Sequence, residues 1–183
     1  MKKVLLLFTV LALSNSTKAG LPEALMSLNY QQYSTAFNEF NLLADKGSPV
    51  ALYYLGRMYQ NGWGVPKNLF QAATYFNQAD QGFYLPAAAQ LGKILLHGAE
   101  GVAANPHQAI MLLKKAALAG DEEAAFELGN ATVAGIDGTP NYNYAHGYYL
   151  IAALKGEKRA QFQLSQIYLK GRGATQNFQK ALT

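Results

Sequence analysis

The sequence predicts an all-α protein built as an array of helix hairpins. The first observation is an internal repeat, in which a Leu-Gly pair returns at spacings of 36, 37 and 36 residues, the last time as Leu-Ser. Its four copies are Leu55-Gly56, Leu91-Gly92, Leu128-Gly129 and Leu164-Ser165. The second observation is that apolar residues recur three and four apart, as on one helix face, while no stretch alternates as a strand does. Self-similarity at a fixed period of this length is typical of stacked repeat proteins.

The first helices follow from their apolar stripes and end signals. A short helix is predicted over residues 21–27, since Pro22 is tolerated in a first helical turn. A longer helix over residues 30–46 ends at Gly47, which acts as a C-terminal cap. Its stripe consists of Tyr33, Phe37, Phe40, Leu43 and Ala44.

The next hairpin sets the pattern for the rest of the chain. A helix over residues 51–60 leads into a tight turn at 61–66, where two glycines allow positive φ. Asn68 can cap a second helix that runs to Gln81. The same cycle then returns twice. In the second cycle one helix starts at Ala87 and the next starts at Asn105-Pro106 and stops at Gly120. In the third, one helix starts at Glu122 and the next starts at about Asn141 and stops at Gly156. A fourth cycle has a helix from Lys158, a turn at 171–173 and the start of a second helix before Thr183.

Small and bulky residues form columns when the copies are aligned. The small columns are Ala36, Ala72, Ala109 and Ala145, and then Leu43, Ala79, Ala116 and Ala152. The bulky columns are Tyr53, Ala89, Phe126 and Phe162, and then Met58, Ile94, Ala131 and Ile167. A glycine inside a helix costs up to ~1 kcal/mol against alanine. Its use at Gly56, Gly92 and Gly129 therefore predicts that close helix packing offsets this cost.

A secretory leader is predicted at the N-terminus. Lys2 and Lys3 precede an apolar run over residues 4–13, and residues 14–19 are small and polar, which is the layout of a signal peptide. The run is short of the roughly 20 residues that a spanning helix needs. We therefore expect a periplasmic or secreted protein without a membrane span after cleavage near residue 19, and an uncleaved anchor is the alternative.

Composition removes several function classes. The chain has no cysteine, which excludes disulfides, thiolate catalysis and Cys-ligated metals. The formal charge of +4 falls to +1 once Lys2, Lys3 and Lys18 of the leader are removed, leaving 12 basic and 11 acidic side chains. A nucleic-acid partner is not expected, because such domains are strongly basic.

The repeat resembles the Sel-1-like repeat, a relative of the tetratricopeptide repeat. The first full copy carries the pattern at Ala51, Leu55, Gly56, Tyr59, Gly62, Gly64 and Val65. The expected organisation is a degenerate leading repeat at 20–50, repeats at 51–86, 87–123 and 124–159, and an incomplete repeat at 160–183. The resemblance implies a right-handed solenoid of antiparallel helix pairs that acts as a binding scaffold. It implies roles in envelope assembly, exopolysaccharide machinery or host interaction for exported bacterial members.

The predicted binding site is a ladder of polar residues on the first helices. Two positions three residues apart, which share a helix face, stay largely polar between apolar neighbours. We call the following eight residues the polar ladder: Tyr54, Arg57, Gln90, Lys93, Glu127, Asn130, Gln163 and Gln166. In solenoids such an aligned face is often the binding surface, and the plain alternative is an ordinary solvated face. A protein or peptide is the expected partner.

No catalytic, cofactor or metal site is predicted. His97, His107 and His146 show no zinc-binding spacing, although His97 and His107 lie on neighbouring loop edges. The acidic run from Asp121 begins a helix, where carboxylates favour the positive end of the helix dipole. A hydrolase resembling the β-lactamase-like members is the weakest hypothesis, since those members are cysteine-rich by resemblance.

The aromatic residues carry the main alternative, a carbohydrate- or peptidoglycan-binding module. Trp63 lies in the first turn, where packing on the hairpin is the preferred interpretation. The densest tyrosine cluster is Tyr142, Tyr144, Tyr148 and Tyr149. Such rings can line a sugar-binding groove, but their helical spacing favours a place in the core.

The C-terminal stretch leaves two further alternatives open. Basic residues exceed acidic ones from Lys155 onward, which is compatible with an anionic partner or a solvated end. The chain also stops inside a hairpin, so the apolar end formed by Phe178, Ala181 and Leu182 either reflects truncation or pairs with another chain by self-association.

Overall fold

The computed structural model describes residues 20–136 and 138–181, so the predicted leader, Asp137, Leu182 and Thr183 lie outside the described residues. The described parts of the chain are helical apart from turns and an isolated bridge between Ala99 and Val102. Their helices are α1 (Leu21–Asn29), α2 (Tyr33–Asp45), α3 (Pro49–Asn61), α4 (Leu69–Gln81), α5 (Leu85–His97), α6 (Pro106–Leu118), α7 (Glu122–Ala134), α8 (Tyr142–Leu154), α9 (Lys158–Lys170) and α10 (Phe178–Ala181). The predicted fold class, an all-α solenoid of helix hairpins, is confirmed.

Capping residues fix where the helices begin. Side-chain oxygens of Asn68, Asn105 and Asn141 accept hydrogen bonds from the backbone N–H three residues on, at 3.0, 3.1 and 3.1 Å. Asp121 does the same for α7 at 2.7 Å, which confirms its predicted role at a helix start. The predicted start of α3 at residue 51 is two residues late, because Ser48 caps the helix and Pro49 occupies its first turn.

Other boundaries also move by a few residues. The helix predicted over 30–46 begins only at Tyr33, because residues 30–32 form the turn that leaves α1. The helix predicted from residue 87 already begins at Leu85 and carries Pro86 in its first turn.

The chain divides into two compact units, Met1–Ala87 and Ala88–Thr183, with the division inside α5. The core of the first unit packs Phe40 and Leu43 of α2 against Leu55 and Met58 of α3, with Ala24 of α1 beside them. The core of the second unit contains buried side chains of α6 to α9, among them Ala109, Leu113, Leu128 and Ala152.

Glycines in the first helices allow the second helices to approach closely. A β-carbon placed on Gly56 would lie 2.6 Å from the Phe76 ring, and one on Gly92 would lie 2.8 Å from Cγ of Leu113. One placed on Gly129 would lie 2.6 Å from Cδ1 of Tyr149. These distances are too short for real contacts, so the predicted close packing at all three glycines is confirmed.

The aligned columns behave as predicted except at one position. The members of both small columns are buried, as are Met58, Ile94, Ala131 and Ile167. Phe162 was expected in a bulky core column with Tyr53 and Phe126, but its side chain is 61% exposed. The prediction for Phe162 is wrong because Tyr53 and Phe126 pack on rings of the helices that follow them, whereas the described residues after α9 form only the four-residue α10.

Candidate binding site

The polar ladder in the first unit is held by aromatic contacts. The ring of Tyr54 stacks on Phe40 with 5.1 Å between centroids, and burial raises the pKa of its phenol. Arg57 donates a hydrogen bond from Nη1 to the Tyr53 hydroxyl at 3.0 Å. Its guanidinium also lies 5.7 Å from the centre of the Trp63 ring. Tyr54 thus packs α3 on α2, and Arg57 packs on its own helix and on the turn that follows it.

The polar ladder in the second unit forms contacts between repeats. Gln90 is buried. Nζ of Lys93 on α5 lies 2.7 Å from Oε2 of Glu123 on α7, which joins consecutive first helices through an ion pair. Gln163 and Gln166 on α9 are half-buried. A binding role for these ladder positions stays a prediction.

Glu127 and Asn130 belong to a small network around a buried tyrosine. The hydroxyl of Tyr149 donates to Oδ1 of Asn130 at 2.9 Å, and Nδ2 of Asn130 donates to Oε2 of Glu127 at 3.4 Å. Burial, reinforced by the Glu127 carboxylate, raises the pKa of Tyr149 to about 12. The phenol therefore stays protonated and acts as a hydrogen-bond donor that fixes α8 on α7.

Trp63 packs on its own unit, as the preferred interpretation of this residue proposed. Its ring is half-buried and stacks on Tyr33 at 6.2 Å with an interplanar angle of 7°. Arg57 lies against the same ring. Tyr33 and Arg57 thus already take up much of the π surface that a sugar ring would need.

A groove in the second unit lies between α6 and α8, with α7 as its floor. The α6 wall is formed by Ile110, Lys114, Ala117 and Leu118, the α8 side by Asn141, Tyr144, Tyr148 and Ile151, and the α7 floor by Leu128, Ala131 and Thr132. We call these residues the α6/α8 groove. On each helix the side chains recur at spacings of three and four, so they share one face.

The groove holds two connected depressions of different chemistry. The larger, about 500 Å³, reaches the polar Thr139 and Asn141 at the start of α8. The smaller, about 210 Å³, is almost wholly apolar and ends at Leu118 and Ile151. Lys114 and Tyr148 line both depressions. The groove can therefore hold apolar side chains at one end and hydrogen-bonding groups at the other.

The rim of the groove exposes large side chains to solvent. Leu118 is 90% exposed and Tyr144 is 70% exposed, and Ile151 is also exposed. An apolar surface of this kind beside a preformed depression is typical of an interaction site. The sequence offered the tyrosine cluster as possible sugar-binding rings but favoured a place in the core. That preference is wrong for Tyr144, which points to solvent on α8, whereas Tyr149 is buried as predicted. Nothing in the sequence pointed to the α6 wall, because residues 110–118 look like an ordinary amphipathic helix.

The histidines serve no common site in the described residues. His97 and His107 are exposed, and Nε2 of His146 lies 2.9 Å from the Tyr168 hydroxyl. No group of three or more His, Cys, Asp or Glu side chains within residues 20–136 and 138–181 is placed to hold a metal ion. Among the helices of that same part of the chain, none has the length and apolarity to cross a membrane.

The basic C-terminal stretch is partly neutralised. Nη2 of Arg159 lies 2.9 Å from Oε2 of Glu157 and 4.0 Å from Oε1 of Glu123, and its guanidinium lies 4.4 Å from the centre of the Phe126 ring. The hydrogen bonds from Arg159 lower the pKa of Glu157 to about 2. This cluster joins the last two repeats of the second unit, so Arg159 has a structural role.

Hairpins of antiparallel helices that recur at a fixed spacing define a helical-repeat protein. The chain belongs to the Sel1 repeat family, whose model matches residues 49–79, 85–121, 122–157 and 158–183. Repeats of this family generally form non-enzymatic scaffolds that mediate protein–protein interaction.

Solved structures support the same assignment. The chain is 34% identical to a Sel1 repeat protein from Oxalobacter formigenes, with a TM-score of 0.74, over 81% of this chain and 60% of that one. It is 30% identical to c5321, a protective antigen present in uropathogenic Escherichia coli strains that displays an SLR fold, with a TM-score of 0.74, over 81% of this chain and 32% of that one. A protein from Klebsiella pneumoniae, at 22% identity and a TM-score of 0.61 over 91% and 82% of the two chains, shares the fold. The chain thus spans less than two thirds of the first two structures.

Proposed function

We propose that this protein is a non-enzymatic scaffold that binds a segment of another protein in the α6/α8 groove. The observation that carries the proposal is the exposed apolar rim, with Leu118 90% exposed, above a buried floor at Leu128 and Ala131. Exposing such side chains in water is unfavourable, at roughly 25 cal/mol per Å² of apolar surface. Covering them with a partner recovers that free energy.

The shape of the groove favours a peptide segment over a compact ligand. Its two depressions share Lys114 and Tyr148 and so follow the length of α6 and α8. Grooves between helices commonly accept a chain segment that places apolar side chains at regular intervals. Lys114, which is exposed at the middle of the groove, adds attraction for a carboxylate in the segment.

The proposal is tested by panning a random peptide library against the purified chain. Enriched peptides are then measured by fluorescence anisotropy against Leu118→Asp and Tyr148→Ala. We expect at least tenfold weaker binding for each variant, because aromatic and apolar anchors carry most of the free energy of such interfaces. The matched control is Leu42→Asp, which changes an exposed leucine of the first unit and should leave binding unchanged.

The same peptides distinguish the groove from the polar ladder. If the ladder binds, the double variant Gln163→Ala and Gln166→Ala loses affinity while Leu118→Asp does not. No enrichment at all, or enriched peptides that bind Leu118→Asp normally, would remove the groove as the site. Circular dichroism of every variant guards against loss of fold.

A carbohydrate ligand is the second candidate, favoured by the exposed ring of Tyr144 at the polar end of the groove. Tyrosine faces can stack on sugar rings while neighbouring amides and hydroxyls form hydrogen bonds. Retention of the purified chain on peptidoglycan or acidic polysaccharide, lost in Tyr144→Ala, would support it. A hydrolase remains the weakest proposal, and a nitrocefin assay at high protein concentration tests it.

We place the site of action in the cell envelope or outside the cell, on the strength of residues 1–19 alone. Cell fractionation tests this, with N-terminal sequencing of the recovered chain. The expected mature protein begins near Gly20 in the periplasmic or secreted fraction. A chain recovered in the cytoplasm with its leader intact would contradict the proposal.

A further inference from the structure

The turn between α4 and α5 uses an unusual residue for its geometry. The amide of Phe83 donates to the Asp80 carbonyl at 2.9 Å, and the amide of Tyr84 donates to the Ala79 carbonyl at 3.0 Å. The same pair of hydrogen bonds closes the turns after α2, α6 and α8. The residue in the left-handed conformation is glycine in those three turns, namely Gly47 at φ 80°, Gly120 at φ 93° and Gly156 at φ 98°. In the turn after α4 it is Phe83, at φ 62°.

Phenylalanine in the left-handed conformation lowers the stability of the chain by itself. A residue with a β-carbon loses roughly 1–2 kcal/mol in the left-handed conformation. Burial of the ring does not offset the cost, because Phe83 is 87% exposed. The turn after α1 is closed by the same pair of hydrogen bonds and also holds a non-glycine residue, Gln31 at φ 59°, but the polar side chain of Gln31 is suited to solvent. Strain retained at an exposed aromatic residue points to a function.

The ring is presented from a firmly held turn. Gly82 packs so closely on the start of α3 that a β-carbon there would lie 2.6 Å from Cβ of Pro49. The hydrogen bonds of Phe83 and Tyr84 tie the turn to the end of α4. Leu85, which is also exposed, adds apolar surface beside it. A rigid turn spares a partner much of the ordering cost of binding.

We propose that Phe83 is a recognition anchor whose ring enters an apolar pocket on a partner protein. Aromatic side chains of this kind carry much of the binding free energy at protein interfaces. A lipid surface is the poorer match, because stable membrane adsorption needs extensive apolar burial or a basic cluster. The described part of the first unit has three basic side chains, Lys46, Arg57 and Lys67, against four acidic ones, Glu23, Glu39, Asp45 and Asp80. The anchor is independent of the α6/α8 groove.

The first part of the test measures strain in the purified chain. Phe83→Gly should raise the melting temperature by about 2–4 °C, the shift expected for ~1 kcal/mol in a chain of this size. Phe83→Ala removes the ring but keeps a β-carbon, so it should not give that increase. Both variants should lose partner binding. Loss of binding together with a gain in stability cannot be explained by unfolding.

The second part identifies what the ring touches. A benzoylphenylalanine photoprobe is placed at position 83 of the full chain in the producing cells, with Phe70, another exposed phenylalanine of the first unit, as the control position. We expect a defined protein adduct at position 83 that is absent at position 70, with the attachment point in an apolar pocket. Excess unlabelled wild-type chain should prevent the adduct, and excess Phe83→Gly chain should not. With the partner purified, Phe83→Gly should bind at least tenfold more weakly.

Several results would overturn this proposal. Absence of a protein adduct, an adduct with lipid alone, or equal labelling at both positions would each do so. Equal competition by the wild-type and Phe83→Gly chains would also do so. An unchanged or lower melting temperature for Phe83→Gly would remove the strain argument.

Discussion

Gly129→Ala places a methyl group where α7 meets α8, and the structure sets its cost. The new carbon would lie 2.6 Å from Cδ1 and 2.9 Å from Cζ of Tyr149, and closer still to Cε1. The ring has little room to move, because it is buried and its hydroxyl is bonded to Asn130 at 2.9 Å. Overpacking of this kind costs typically 1–3 kcal/mol. Replacing a helical glycine by alanine returns up to ~1 kcal/mol.

Taking the upper end of the overpacking range, we expect Gly129→Ala to lower the free energy of unfolding by about 2 kcal/mol. That corresponds to a fall in melting temperature of roughly 4–8 °C for a chain of this length. Thermal denaturation followed by circular dichroism measures the change.

The matched control for this prediction is Gly147→Ala on α8. Gly147 is an exposed helical glycine. In the described part of the chain, no atom beyond its chain neighbours and the backbone of its own helical turns lies within 4 Å of an added β-carbon. Its replacement should stabilise the protein by up to ~1 kcal/mol. If Gly129→Ala proved as stable as Gly147→Ala, the account of hairpin packing through glycine would be wrong.

Three further predictions concern titration and capping. Burial raises the pKa of Tyr149 from 10.0 to about 12. The stability that comes from its neutral phenol is therefore fully present below pH 10 and is lost as the pH rises toward 12. Phenolate absorbance should show this late ionisation, and Tyr149→Phe should remove it. Hydrogen bonds from Arg159 lower the pKa of Glu157 from 4.5 to about 2. The stability that comes from this carboxylate is therefore present above pH 4.5 and is lost as the pH falls toward 2. In Arg159→Gln, NMR titration should find the pKa of Glu157 back in its usual range. Asn68→Ala should lower the free energy of unfolding by about 1 kcal/mol in denaturant titrations, because α4 loses its N-cap, and an unchanged midpoint would contradict this.

The repeat architecture could be predicted because each local signal recurs. The Leu-Gly pairs, the alanine columns and the asparagine caps impose the same requirement several times, so chance agreement at one position matters little. Phe162 was predicted wrongly for the converse reason. A column describes the average repeat, whereas the burial of one member depends on which helices cover that copy.

The candidate binding surfaces were harder to foresee. The polar ladder stays a prediction as a binding site, and one aligned column cannot show which side chains pair between repeats. Lys93 contacts Glu123, which lies 30 residues away in the chain. The α6/α8 groove likewise requires the relative placement of two helices. Phe83 could have been noticed in the sequence, because an alignment of the turns places it where other turns have a glycine, at Gly47 and Gly120.

The most direct test of the proposed function is NMR mapping of a library-selected peptide on the isotope-labelled full chain. We expect amide shift changes to concentrate on α6 and α8 around Lys114, Tyr144 and Tyr148, and to disappear in Leu118→Asp. Shift changes centred instead on the polar ladder, at Tyr54 and Arg57 or at Gln163 and Gln166, would contradict the proposed function.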